Sequence, residues 1–130
     1  YHGLDISPLM IQAAISSNSE HKNIKFEETS DISIASDFIV ASGVFNVKLG
    51  SSEKPWKKYI DNTLNSFNEY SNKGFAFNCL SSYSDPAKRA SKLHYADPLE
   101  LFDLCKKKYS DNVSLIHNYG LYEFTILVNK

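Results

Sequence analysis

The sequence predicts an α/β fold on a mostly parallel sheet that closes with an antiparallel hairpin. Three observations carry this. Short apolar runs, such as Phe38-Ile39-Val40-Ala41 and Phe75-Ala76-Phe77-Asn78-Cys79-Leu80, alternate with helical patterns from end to end. The first of these runs is entered through Asp37 and closed by Ser42-Gly43, the pattern of a strand buried on both faces in the middle of a sheet. Near the carboxyl terminus two strand patterns are separated by Asn118-Tyr119-Gly120, a connection suited to a hairpin.

At 130 residues the chain is expected to form one domain over residues 1–130, large enough for a real core. Its 42% apolar and 22% charged residues are those of a soluble globular protein. A net charge of −1 gives no electrostatic footprint for nucleic acid or an anionic membrane. The longest apolar runs fall far short of the ~20 residues of a membrane span. The start, Tyr1-His2-Gly3-Leu4-Asp5, has neither the basic end nor the apolar core of a signal peptide. Cys79 and Cys105 lack metal-like spacing and read as buried, reduced thiols of a cytoplasmic protein. No metal site is expected, and no P-loop, H-E-x-x-H, G-x-S-x-G or paired-cysteine motif occurs.

In chain order, Leu4 reads as the tail of a strand. Ser7 then caps a helix with Pro8 in its first turn, and Met10, Ile11, Ala14 and Ile15 form its apolar face. Residues 24–26 form a short strand, followed by a polar loop over 27–31. The central strand over 38–41 leads into a loop over 46–52. The clearest helix spans about residues 53–70, with Trp56, Tyr59, Ile60, Leu64 and Phe67 on one stripe. Asn72-Lys73-Gly74 is expected to stop it, Gly74 supplying the left-handed cap. A buried strand follows over 75–80. Asp85-Pro86 starts a short helix, and Asp97-Pro98-Leu99-Glu100 starts a longer one with a capping-box arrangement. Lys106-Lys107-Lys108 falls at the end of that helix, where cations complement its dipole. Strands over 113–117 and 123–128 complete the order, the last with Phe124, Ile126 and Val128 on one face. Such alternation implies parallel strands joined by right-handed crossovers. In open sheets of this kind ligands bind beyond the carboxyl ends of the strands, which places Ser42, Gly43, Val44 and Phe45 at the lip of a site.

Several segments resemble the class I, Rossmann-like S-adenosylmethionine-dependent methyltransferases. Residues 1–7, Tyr1-His2-Gly3-Leu4-Asp5-Ile6-Ser7, are similar to that family's second motif, in which an acidic residue ends the second strand. Asp37-Phe38-Ile39-Val40 resembles its fourth strand, and the closing hairpin its sixth and seventh strands. Ser42-Gly43-Val44-Phe45-Asn46, Lys73-Gly74-Phe75-Ala76-Phe77-Asn78, Leu93-His94-Tyr95-Ala96-Asp97-Pro98 and 117–124 look like a bacterial subgroup of small-molecule methyltransferases. The resemblance implies a three-layer sheet and S-adenosylmethionine as cofactor. It also implies transfer of a methyl group to oxygen or nitrogen of a small metabolite or glycan precursor. The family's first strand and glycine-rich loop have no counterpart here. That strand lies between the second and fourth, which would otherwise stand about 10 Å apart, twice the ~4.8 Å spacing of paired strands. The chain is therefore expected to be the C-terminal portion of a methyltransferase domain.

The residues allow these roles and plainer ones. A carboxylate at a strand end can accept hydrogen bonds from ribose hydroxyls, which the resemblance implies for Asp5, although an Asp before a helix also suits the dipole. Ile6 would lie against adenine. Glu28 and Thr29 follow the third strand, where the family holds the adenine amino group, and Glu27 competes for that role. Ser42, Gly43 and Phe45 sit at the lip, where Gly43 permits close backbone approach, yet Ser-Gly also simply ends a strand. Tyr83, His94, Tyr95 and His117 fall in loops or at strand ends; Tyr83, His94 and His117 are the catalytic candidates, and the sequence chooses no base among them. Asn78 can bond loops or substrate. The alternatives are an NAD-binding or other nucleotide-binding oxidoreductase fragment and a non-catalytic scaffold.

Overall fold

Ser7 and Pro8 start the first helix as their chemistry requires: Ser7 Oγ accepts the N–H of Met10 at 3.4 Å, and proline fills the first turn. The structure, a computed structural model, describes residues 1–48 and 50–130. Residue 49, within the loop expected over 46–52, lies outside the described residues. The chain divides into two compact units, Tyr1–Ser33 and Ile34–Lys130.

The first unit holds β1 (His2–Asp5), α1 (Pro8–Ser17) and β2 (Lys25–Glu28). Its strands pair in parallel, with Gly3 opposite Phe26 and Asp5 opposite Glu28, so β2 runs two residues into the expected polar loop. The apolar stripe of α1 is not buried: Met10 is 58% and Ile15 52% exposed. A two-stranded ladder offers too little apolar surface to cover a helix face.

The second unit holds β3 (Ser36–Ala41), α2 (Glu53–Tyr70), β4 (Ser71–Leu80), α3 (Pro98–Lys108), β5 (Asn112–Ile116) and β6 (Glu123–Asn129), with a 3₁₀ turn at Pro86–Lys88. The strand order is β3-β4-β6-β5; β3 and β4 are parallel, and the closing hairpin is antiparallel. Opposite residues share a face, so Ile39, Phe75 and Val128 line one side together, as do Phe77 and Ile126. That side is the core. Ile60, Leu64 and Phe67 of α2 pack onto it, and Phe45 and Leu64 are 0% exposed. Phe45 meets Phe77 edge-on at 5.5 Å and Phe67 at 6.2 Å. Each such ring withdraws roughly 1.5–3 kcal/mol worth of apolar surface from water.

Two expectations change here. The 38–41 strand is not buried on both faces, since Phe38 is 58% and Val40 79% exposed. Among the described residues β3 pairs only with β4, and the helices of its unit cover only the face of Ile39. Gly74 does not cap α2, which ends at Tyr70 and passes directly into β4. Gly74 lies inside the strand at φ +149°, opposite Asn129, where an added Cβ would stand 2.2 Å from the carbonyl oxygen of Val128. Glycine is needed there for close approach of β6.

Asp97 caps α3 with bonds from the N–H groups of Leu99 and Glu100, but Glu100 does not complete a capping box; its carboxylate pairs with Lys57 at 2.7 Å. At the other end the lysine run lies in the last turn, as expected, and Lys107 pairs with Asp103 and Lys108 with Asp61. Cys79 and Cys105 are both buried free thiols, and burial pushes each up to about 12.

Gly74→Ala is expected to cost at least about 2 kcal/mol, because both the backbone and the β4–β6 ladder must shift. Urea denaturation against the parent chain measures it; Gly43→Ala, with nothing within 4 Å of the added Cβ, should lose less.

Candidate functional site

Parallel pairing brings the carboxyl ends of β1 and β2 side by side. Asp5 Oδ1 accepts the N–H of Ser7 at 2.8 Å, and the Asp5 carbonyl accepts that of Thr29 at 3.1 Å. The second carboxylate oxygen, Oδ2, has no hydrogen bond within the described residues. Ile6, next in the chain, is 74% exposed. Glu27 is committed elsewhere: it pairs with Lys25 at 3.2 Å and His2 at 3.1 Å. The hydrogen bond from Lys25, with its charge, holds the Glu27 carboxyl below the usual range. Glu28 is exposed and has no ion pair among the described residues. A nucleoside needs a carboxylate for its ribose hydroxyls and apolar surface for its base. Asp5 and Ile6 supply both groups at one strand end, so the residues present fit the adenosine part of S-adenosylmethionine.

The lip of the second unit is built from polar ties that the sequence does not announce. Ser42 and Gly43 leave β3 through a turn, with Gly43 at φ +74°. The Gly43 N–H donates to Asn78 Oδ1 at 2.7 Å, and Asn78 Nδ2 donates to Glu123 Oε2 at 2.8 Å. Asn46 Nδ2 donates to the other carboxylate oxygen of Glu123 at 3.2 Å, while Asn46 Oδ1 accepts the N–H of Leu80 at 2.9 Å. Two amides thus hold one carboxylate, and through it the ends of β3, β4 and β6 are fastened together. Phe45 takes a different place from the lip: the whole residue, backbone included, is buried, with its ring in the aromatic core.

The three catalytic candidates have different surroundings. Tyr83 is 68% exposed, with its ring 6.1 Å from that of His117, which in turn meets Phe124 at 6.0 Å. His94 is 6% exposed, edge-on to Trp56 at 6.1 Å, and its backbone N–H donates to the Asn46 carbonyl at 2.9 Å. Burial pushes the His94 imidazole below its usual pKa; Glu53 opposes this, and Lys48 and Lys57 reinforce it. Sequence reasoning missed Asn46 and Glu123. The signal for them is their position, one just past a strand's carboxyl end and one at the start of the strand two places away.

Asn78→Leu should destabilise the chain by roughly 2–3 kcal/mol, since it leaves the Gly43 N–H and the Glu123 carboxylate short of partners; urea denaturation checks this. A second expectation concerns acid. An unfolded histidine titrates near about 6.5, above the folded value of His94, so the unfolded chain takes up that proton first. His94 therefore lowers stability as pH falls from 7 towards 5. Denaturation midpoints of His94→Phe should decline less over that interval than those of the parent chain.

No family model matches the sequence. Over 130 residues the chain is 50% identical to the Mycobacterium tuberculosis protein named "Putative methyltransferase Rv1506c", covering 100% of this chain and 78% of that one. Its fold is similar to magnesium protoporphyrin IX methyltransferase from Synechocystis PCC 6803. The TM-score is 0.73 for the form with bound S-adenosylhomocysteine and 0.67 for that with S-adenosylmethionine, each at 8% identity. Those matches cover 99% of this chain and 63% and 58% of the other, so the chain spans about three-fifths of that enzyme. A chain of an RNA repair complex matches at TM-score 0.60 and 12% identity, over 100% of this chain and 31% of that one. Identity of 50% to a named methyltransferase along its whole length shows that the chain belongs to that methyltransferase family, and its fold is that of the class I, Rossmann-like S-adenosylmethionine-dependent enzymes.

Proposed function

We propose that this chain binds S-adenosylmethionine and takes part in moving its methyl group to an oxygen or nitrogen of a small metabolite or glycan precursor in the cytoplasm. The observation that carries the reading is Asp5, a strand-end carboxylate with one oxygen fixed by Ser7 and the other without a protein partner. When bound, the cofactor supplies an electrophilic methyl group on a sulfonium. Asp5 Oδ2 accepts a ribose hydroxyl, Ile6 covers one face of adenine, and Glu28 or Thr29 receives the adenine amino group. In the second unit Ser42 and Gly43, fastened to Asn78, give a fixed lip of their own. Where the acceptor carries a proton that must leave, Tyr83 and His117 at the exposed rim and His94 behind Asn46 are the groups able to take it. The net charge of −1 favours a small acceptor over nucleic acid. No helix among the described residues is long and apolar enough to cross a membrane.

Calorimetric titration with S-adenosylhomocysteine, with NAD as control, tests the reading. The expected result is micromolar binding of S-adenosylhomocysteine, no heat with NAD, and at least a tenfold loss, about 1.4 kcal/mol, in Asp5→Ala. Heat with NAD in its place would make the chain an oxidoreductase module. A folded chain silent to both would make it a scaffold.

A further inference from the structure

Between the amino-terminal halves of α2 and α3 lies a cavity of about 260 Å³, which includes His94, Ile60, Leu101 and Leu104 in its lining. Its size falls just below the ~300–1,000 Å³ of pockets for drug-sized ligands, so it suits a molecule of about one ring. Ile60, Ala96, Leu101 and Leu104 are its apolar lining, and Glu53, Lys57, Asp61, Asp97 and Glu100 its charged lining.

The buried polar side chain of that lining is His94. Its ring is more than nine-tenths buried and has no hydrogen bond among the described residues; the nearest charged group is Glu53, with Oε1 3.8 Å from Nδ1. Buried polar groups are ordinarily paired, and an imidazole beside a cavity can take its partner from a ligand there. Trp56, standing edge-on to it, has a buried indole N–H without a partner among the described residues. Burial keeps the imidazole neutral, so it presents one N–H donor and one nitrogen acceptor.

The charges around the cavity are already matched. Glu100 is paired with Lys57 at 2.7 Å and Asp61 with Lys108 at 2.5 Å. Lys48 stands 3.8 Å from Glu53, and Asp97 is occupied in capping α3. Among the described residues each carboxylate of the lining thus has a lysine or, for Asp97, the amino terminus of α3 as its counter-charge. We propose that this cavity binds a small uncharged hydroxyl compound with an apolar body, of the phenol class. Its ring would lie against Ile60, Leu101 and Leu104, and its hydroxyl would pair with His94. This inference rests on the cavity alone and not on cofactor binding at the strand ends.

Phenol is the probe. It is titrated into the folded chain while the His94 ring resonances are followed by NMR, their assignment fixed by their loss in His94→Phe. Toluene, benzylammonium and benzoate serve as controls. Saturable, millimolar perturbation of His94 by phenol is expected, with affinity at least tenfold weaker for each control. His94→Phe, followed through the backbone amides of Leu101 and Leu104, should lose phenol binding by a similar factor. Should that variant not fold, Leu104→Phe, which fills the cavity and leaves His94 in place, should block phenol. Absence of a saturable shift, equal binding of toluene, or tighter binding of either charged analogue overturns the proposal. None of these outcomes depends on whether S-adenosylhomocysteine binds.

Discussion

Burial of one face of β4 under α2 holds the larger unit together. The strand is hydrogen-bonded on both edges, to β3 and β6, and carries Phe75, Phe77 and Cys79 inward. Phe45, from the loop after β3, and Phe67, from α2, complete an aromatic cluster with those rings. Edge-on ring pairs of this kind add about 0.5–1.5 kcal/mol beyond the area they bury. The lip depends on the same strand, because Asn78 projects from the opposite face of β4 to hold Gly43 and Glu123. A core on one side and a polar clamp on the other are set by a single alternation of residues.

This alternation explains what was legible in the sequence and what was not. The bounds of α2 and the inward face of β6 could be read because their periods are local and strong. Ile60, Leu64 and Phe67 repeat at helical spacing, and Phe124, Ile126 and Val128 alternate. The two-sided burial expected of 38–41 failed because periodicity cannot count a strand's neighbours; a four-residue apolar run looks the same in a sheet covered on one face. Gly74 misled for a similar reason. A glycine after a helix is usually a cap, and its approach to Val128 is a contact across fifty-odd positions of sequence. Asn46 and Glu123 were invisible as a pair because their link at 3.2 Å is made only once β4 and β6 are in register.

The two units contribute different chemistry. The strand ends of the first offer a carboxylate and an exposed isoleucine, the groups proposed above to hold a nucleoside. The second offers a lip in which the two amides are shared between a carboxylate and backbone groups, together with a recess beside His94 whose lining carboxylates have counter-charges. Asn46 belongs to both features of the second unit: its side chain holds Glu123 and its carbonyl holds the His94 backbone. A change at Asn46 would therefore reach the lip and the recess together.

The junction between α2 and β4 carries a further consequence, for how relatives of this chain can differ in length. Helix and strand meet at Tyr70 and Ser71 with no loop between them. One residue inserted within α2 would turn the stripe of Ile60, Leu64 and Phe67 by about 100° relative to the rest of the helix. One residue inserted within β4 would exchange Phe75 and Phe77 for Ala76 and Asn78 on the buried face. Neither shift has a loop to absorb it. Insertions and deletions should therefore be tolerated in the connections on either side, over 42–52 and 81–97, while the segment between keeps a fixed length.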